Sequence, residues 1–356
     1  MVTLTKIDLP GKHIFNGNEF PVAYEISGDS NNNDKIEKFL QEKAKTGFFI
    51  EQLDKHGAIV IRNSNNKNLN PEIISKFIKA ISNNSGLEFF IQNGSTAKRR
   101  EVTEILSTAN EGPHDKPIYQ HNEFSRFIKY PTTLFFVCDK INAKGGETPV
   151  VHGGELFEAI NKEIPEFNKE LSKRGLFMEQ IWTLKSDNNT HWSYKFCFGR
   201  NIDPNDKDFE NNKKIAIKLA KEIASPFCEF NKDNDLRISQ YTNPIRIYES
   251  KNGISYPCFF NSIATFYANV KLKIGGYSKT KNISYNDGGE IPQEYLDLTL
   301  QKSIDLAYNH AWQQGDIVIL NNYQVSHGRC PWEGERKILV SMWDEIDKAD
   351  YKPWLV

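Results

Sequence analysis

The tripeptide His121-Asn122-Glu123 places an imidazole and a carboxylate two residues apart. On an extended strand that spacing projects both side chains to one face, where a nitrogen and an oxygen can bind one metal at adjacent positions. A second histidine, His327, stands just beyond the apolar run GDIVILNN at 315–322. Two histidines and one carboxylate leave three coordination positions open, which is what a non-haem Fe(II) needs to take a chelating cosubstrate and O2 together. Each part alone is a weak signal. Chance often produces His-x-Glu, whose plainer reading is an exposed loop, and a lone histidine near a strand end is more often structural.

The joint arrangement is more specific. GGETP at 145–149 follows the tripeptide by one strand, and Arg336-Lys337 follows His327 at the start of another. The stretches TANEGPHDKPIYQHNE, FFVCDKINAKGGETPVV and GDIVILNNYQVSHGRCPWEGERKILVSMW resemble the signature blocks of the taurine dioxygenase-like superfamily, in particular its clavaminate synthase-like and syringomycin-pathway branch. They cover the middle and the C-terminal end of the chain; residues 1–95 and 165–300 contribute little.

The resemblance implies an α+β, mainly β fold: a double-stranded β-helix, or jelly roll, with flanking helices. It implies Fe(II) held by His121, Glu123 and His327, with 2-oxoglutarate and O2 as cosubstrates. Thr148 and Arg336 would take the far carboxylate of 2-oxoglutarate. The reaction implied is oxidation, foremost hydroxylation, of an unactivated C–H bond of a small, amino-acid-like molecule, with release of succinate and CO2. Many relatives carry two adjacent arginines where this chain has Arg336-Lys337. Neighbours on a strand face opposite ways, so one of the two points at the pocket; Arg336 is the choice here, while an alignment on the following Ile-Leu favours Lys337. Glu123 retains the carboxylate that halogenating relatives lack. Two other readings stand beside this one, a Zn2+ hydrolase on the same triad and a non-catalytic β-helix that binds a small acid. The Thr148–Arg336 pair argues against the first and the intact ligand set against the second.

Other residues carry weaker signals. Arg100, Asn110 and Glu111 precede the tripeptide, where the family builds its substrate pocket, and surface or turn roles suit them as well. Arg329 lines the site or pairs with an acidic neighbour. His191 in NNTHW reads as a lid residue or an exposed loop, and Asn261 in CFFNSIATFY as a pocket hydrogen-bonder among core neighbours.

The elements that must position these groups follow from periodicity. HGAIVIR (56–62) is a β-branched strand, and PEIISKFIKAIS (71–82) is a helix opened by proline. TTLFFVCDKI and TPVVH are strands joined by a Gly-Gly turn. GELFEAINKEI (154–164) and FENNKKIAIKLAKEIA (209–224) are helices. GDIVILNN (315–322) and RKILVSMW (336–343) are strands joined by a turn containing HGRCPWEGE. The Asn-rich stretches 28–36 and 63–70 read as surface loops. A single domain over 1–356 is expected, with core strands near 56–62, 118–152 and 314–344 and an insertion, or lid, over about 165–300.

Composition fits a small-molecule partner. Lys plus Arg (45) nearly balance Asp plus Glu (46), a net charge of -1 that gives no footprint for nucleic acid. Cys138, Cys197, Cys228, Cys258 and Cys330 form no CxxC pair, which fits a reducing compartment. With no basic start before an apolar core and no apolar run of membrane length, a cytoplasmic protein free of membrane is expected.

Overall fold

Period-2 alternation along one strand explains most of the architecture. In Thr133–Gly145, Leu134, Phe136 and Cys138 turn to one side and Phe135 and Val137 to the other, and all five are buried. A strand apolar on both faces must lie in the middle of a layered core. The computed structural model, which describes residues 1–29, 31–63, 66, 69–95, 99–109, 112–184, 191–251, 253–272 and 283–356, places it there. The main sheet runs in the order Val2–Ile7, Val22–Gly28, Ala58–Arg62, Ile317–Asn321, Thr133–Gly145, Trp332–Glu345 and Leu87–Phe89, with Ser107–Thr108 also paired to Trp332–Glu345. Its pairs are antiparallel except for Val22–Gly28 with Ala58–Arg62.

A second sheet of Tyr308–His310, Thr148–His152, Val325–Arg329 and Ile118–His121 faces the first. Phe136, Val318 and Val340 from the main sheet and Val150 and Val325 from the second fill the space between them. Outside the main sheet, Phe135, Val137 and Ile319 pack on the helices Asn33–Lys45, Phe48–His56 and Pro71–Ser82. Behind the second sheet, Val151 packs on Gly153–Glu163, Pro165–Arg174, Ile263–Lys271 and Gln293–Asp305. Burying each large apolar side chain contributes roughly 1.5–3 kcal/mol, so both faces of the main sheet hold the layers together.

The chain passes between the sheets at every ligand-bearing strand, which makes the pair the expected jelly roll. Gly145 and Gly146, at φ 78° and 82°, carry it from Thr133–Gly145 to Thr148–His152. A Cβ at Gly146 would meet the Arg336 side chain at 2.7 Å, and one at Gly145 the Pro331 carbonyl oxygen at 2.5 Å, so both positions need glycine.

Two local expectations change. The stretch HGRCPWEGE is not a turn: Val325–Arg329 is a strand, and Trp332 already opens the long strand Trp332–Glu345. Glycine hides the first strand, because a Cβ at Gly328 would meet the Ile118 carbonyl oxygen of the neighbouring strand at 2.4 Å. The loop expected over 28–36 ends early, since Asn32 caps the helix Asn33–Lys45 by accepting from the Lys35 N–H at 3.1 Å. Asn70 does the same for Pro71–Ser82, accepting from the Ile73 N–H at 3.0 Å.

The described residues of the segment 165–300 form secondary structure of their own. They hold a three-stranded sheet (Leu176–Trp182, Leu236–Thr242, Cys228–Phe230), a two-stranded one (Ile245–Glu249, Ser255–Phe259) and the helix Phe209–Ile223. Its Trp182, Trp192, Phe198 and Ile238 belong to the same apolar cluster as Phe124, Phe136 and Val340 of the barrel. Among the described residues, no helix is long and apolar enough to cross a membrane. All five cysteines are free, and four are buried.

Candidate metal centre

Strand pairing brings the three ligand candidates together. His327 lies opposite His121 on one side and opposite Val150 on the other. Directly paired residues share a face, so both imidazoles look into the space between the sheets. Their ring centroids are 4.5 Å apart, and Phe136 packs on His327 at 4.9 Å.

Glu123 arrives by a different route from the one its spacing suggests. The strand ends at His121, and Glu123 stands in a turn, followed by Phe124 at φ 53°. Paired asparagines hold that turn. The Asn322 side chain accepts from the Glu123 N–H at 2.8 Å and donates to the Glu123 carbonyl at 2.9 Å. Asn122 donates to the Asn322 carbonyl at 2.7 Å and accepts from the Asn261 N–H at 3.0 Å. Neither Asn122 nor Asn322 stands out in sequence as a functional residue. The only signal is their place, inside the tripeptide and at the end of the GDIVILNN strand.

Glu123 Oε2 lies 3.6 Å from His327 Nε2 and 4.0 Å from His121 Nε2. The three ligand atoms lie within 4.8 Å of one another. Bonds near 2 Å from one ion reach ligands roughly 3–4 Å apart, so the set suits a single metal. His121 Nδ1–H donates to the Tyr119 carbonyl at 3.0 Å, which fixes the tautomer and leaves Nε2 with its lone pair toward the site. Burial, and then the neighbouring His327, push the His121 imidazole down to about 4, so it is neutral at physiological pH. Burial works to raise the Glu123 carboxyl, but His327, Arg99 and His121 outweigh it and hold the group at about 2. The neutral His121 imidazole, the His327 ring and the ionised Glu123 carboxylate form the donor set of a ferrous facial triad.

Thr148 and Arg336 meet beside this centre. Thr148 lies two residues before Val150 on the same face, so it sits about 7 Å along the strand from the His327 row. Thr148 Oγ1 accepts from Trp312 Nε1 at 3.0 Å and from Arg336 Nη2 at 3.4 Å, leaving its own O–H to donate elsewhere. Arg336 also donates from Nε to the Gly146 carbonyl at 2.7 Å. Burial, and then the nearby Arg329, lower its guanidinium to about 10, and among the described residues it makes no ion pair. A half-buried cation and a buried hydroxyl that meet in this way fit a carboxylate. Lys337 faces away and pairs with Asp139 at 2.8 Å.

The weaker candidates separate. Arg329 donates to the carbonyls of Gly112, Pro113 and Lys116, tying the segment before the tripeptide to its strand. Asn261 anchors Asn122 through its backbone and donates from its side chain to the Pro244 carbonyl at 3.3 Å. His191 contacts Ser193 Oγ at 2.7 Å, within its own turn. Arg100 pairs through its backbone with Thr108. Asn110 and Glu111 lie outside the described residues. The sequence reading passed over Arg99, which is 7% exposed and close enough to Glu123 for each charge to act on the other.

Comparison with known proteins agrees with this geometry. A clavaminate synthase-like protein of Arabidopsis thaliana is 26% identical over 254 residues, 70% of this chain and 72% of that protein. The dapdiamide synthesis protein DdaC of Enterobacter agglomerans is 25% identical over 305 residues, 83% of this chain and 84% of that protein. The solved structure of the non-heme iron oxygenase OrfP in complex with Fe, succinate and (3S)-hydroxy-L-Arg shares the fold, with a TM-score of 0.53 at 12% identity over 91% of this chain and 94% of that one. The family model described as taurine catabolism dioxygenase TauD, TfdA family matches residues 28–343, so the chain belongs to that family and is a non-haem oxygenase dependent on Fe(II), 2-oxoglutarate and O2.

Proposed function

We propose that His121, Glu123 and His327 are the iron ligands, that Thr148 and Arg336 hold the far carboxylate of 2-oxoglutarate, and that the enzyme hydroxylates an unactivated C–H bond of a small, amino-acid-like molecule. The observation that carries this reading is the meeting of three ligand atoms within 4.8 Å, two from one strand end and its turn and one from a strand distant in sequence, beside a half-buried arginine and buried threonine that have no carboxylate partner among the described residues. Bound there, iron supplies the oxidising chemistry from O2 as the diacid is converted to succinate and CO2.

The chain's own groups prepare that chemistry. Tyr119 orients the His121 ring, and Asn322 sets the Glu123 turn. Phe136 covers one side of His327 and keeps water from it. Arg336 and Thr148 anchor the diacid at one end, which leaves its keto-acid end to meet the triad. A hydrolase has no use for such an anchor. The substrate class is supported by DdaC, a relative over most of the chain that is named for dapdiamide synthesis.

The near-neutral charge and the lack of a membrane-length helix among the described residues support a cytoplasmic enzyme that engages neither nucleic acid nor membrane. The apolar cluster shared by barrel and insertion supports one domain over 1–356, with 165–300 as its insertion. Anaerobic titration with Fe(II) and 2-oxoglutarate tests the centre. A weak visible charge-transfer band is expected, and its absence at saturating concentrations of both rejects the assignment.

A further inference from the structure

His310 is a buried histidine to which the proposed centre gives no task. It ends the edge strand Tyr308–His310 and is 1% exposed. Among the described residues neither of its ring nitrogens has a hydrogen-bond partner, a state the interior strongly disfavours. Other buried histidines are accounted for. His56 Nδ1 donates to the Glu19 carbonyl at 2.7 Å, His152 accepts from the Gly154 N–H at 3.2 Å, and His327 belongs to the triad. The acid beside His310 does not answer its need. Asp316 Oδ2 is 3.2 Å from Nε2 but out of line for a hydrogen bond, and that carboxylate already accepts from Arg62 Nε and Nη2 at 3.1 and 3.2 Å and from the Gln313 N–H at 3.1 Å.

Strand register and ring contact place the unmet ring at the clamp. His310 stands directly opposite Thr148 in the antiparallel pair of Thr148–His152 with Tyr308–His310. The two side chains therefore share the face that looks between the sheets, with Cβ atoms about 4.5–5.5 Å apart. Trp312 joins them, packing edge-on against His310 with ring centroids 4.6 Å apart while its Nε1 donates to Thr148 Oγ1 at 3.0 Å. Arg336 reaches the same oxygen at 3.4 Å. A carboxylate is an acceptor only and offers about four lone-pair sites, so a hydroxyl and a guanidinium do not exhaust it. We infer that His310 donates a further hydrogen bond, from a ring N–H, to the far carboxylate of the diacid, and so helps to select a diacid over a 2-oxo acid that lacks that group. The inference rests on the proposed Thr148–Arg336 clamp and adds a residue to it.

The test uses the full chain, anaerobic and loaded with Fe(II), titrated calorimetrically with 2-oxoglutarate and with 2-oxobutanoate, which keeps the chelating end and lacks the far carboxylate. The wild type should bind 2-oxoglutarate the more tightly. His310→Phe keeps a ring in the same space and removes both nitrogens. It should lower the preference for the diacid at least about tenfold, the scale of one hydrogen bond to a charged group, with the affinity for 2-oxobutanoate unchanged. His310→Asn keeps a donor close to Nδ1 and should retain part of the preference; should His310→Phe not fold, His310→Leu takes its place under the same outcomes. Equal weakening of both ligands overturns the inference, because it marks a residue that only shapes the site. An unchanged preference in His310→Phe overturns it too, as does His310→Asn behaving like His310→Phe, since the effect then follows the ring and not its donor. No preference in the wild type instead rejects the clamp on which the inference rests, and no binding of either acid rejects the metal centre.

Discussion

The two facing sheets are built by opposite rules. The main sheet is apolar on both faces: Phe135, Val137 and Ile319 bury against helices, while Phe136, Val318 and Val340 fill the interior. The second sheet turns His121, Thr148 and His327 into that same interior, with His327 Nδ1 buried and without a hydrogen-bond partner. Apart from Arg336, which the strand Trp332–Glu345 contributes to the diacid clamp, the main sheet is made of groups that any good packing would satisfy, while the second supplies groups that a metal and a diacid would satisfy. Stability should therefore reside in the first and chemistry in the second.

His327→Ala breaks the comparison most sharply if the comparison is wrong. Loss of the charge-transfer band and of succinate release is expected, with the thermal midpoint nearly unchanged, because a buried polar ring without a full set of partners adds little to stability. Phe135→Ala is the mirror case. It should cost about 3–5 kcal/mol in urea unfolding while the folded fraction still shows the band. A large stability loss in His327→Ala, or loss of the band in folded Phe135→Ala, would erase the division of labour.

On the strand Trp332–Glu345 of the main sheet, Arg336 and Lys337 offer a finer contrast. Arg336→Gln should raise the KM for 2-oxoglutarate by about a hundredfold or more, on the scale of two lost charge-assisted bonds. Lys337→Gln removes only a half-exposed pair with Asp139 and should change KM less than about threefold, as surface pairs contribute little. Equal effects in steady-state kinetics would return the clamp to the alternative alignment.

How far this was readable in advance also divides along the two sheets. Strands such as Thr133–Gly145 and Ile317–Asn321 announce themselves by unbroken apolar runs. Val325–Arg329 did not, because its glycine answers to the Ile118 backbone of a distant strand. The cluster of His121, Glu123 and His327 proposed as the ligand set was legible from residue type and block spacing, though Glu123 reaches it from a turn and not from the strand face first expected. Asn322 was not legible. Its role arises from partners elsewhere in the chain, and nothing in its local sequence marks an asparagine that shapes a turn. The insertion hid its sheets for a related reason: Gln180 and Gln240 interrupt its apolar alternation while remaining buried.

The second sheet also carries an acid-sensitive contribution to stability. His152, at the end of Thr148–His152, is buried, and its ring nitrogen accepts from the Gly154 N–H at 3.2 Å, capping the helix that follows. Burial pushes its imidazole down to about 4, against a small opposing pull from Gln324. The fold thus favours the neutral ring, so this contribution is full above the unfolded value near 6.5 and is lost as pH falls toward 4. The drop of roughly 2.5 units corresponds to about 3 kcal/mol. His152→Asn, which keeps an acceptor and cannot titrate, should take up about one proton fewer on unfolding between pH 4 and 6.5. An unchanged pH slope in urea melts would assign the acid sensitivity to other histidines.

A further variant tests whether the polar sheet is tuned beyond the proposed ligands. Asn322 touches no ligand atom, yet it bonds both the N–H and the carbonyl of Glu123 and also donates to the Pro131 carbonyl. Asn322→Ala frees the turn to swing, so the carboxylate spends part of its time away from the imidazoles. Outer partners of this kind are worth about tenfold to a hundredfold in metal affinity. Anaerobic Fe(II) titration should show that loss with His121 still able to ligate, since the Tyr119 bond that orients it is untouched. Asn322→Asp keeps the acceptor for the Glu123 N–H and loses the donor to its carbonyl, so it should fall between Asn322→Ala and the wild type. If both variants bind iron as the wild type does, the three ligands hold their own geometry, and the asparagines serve the fold alone.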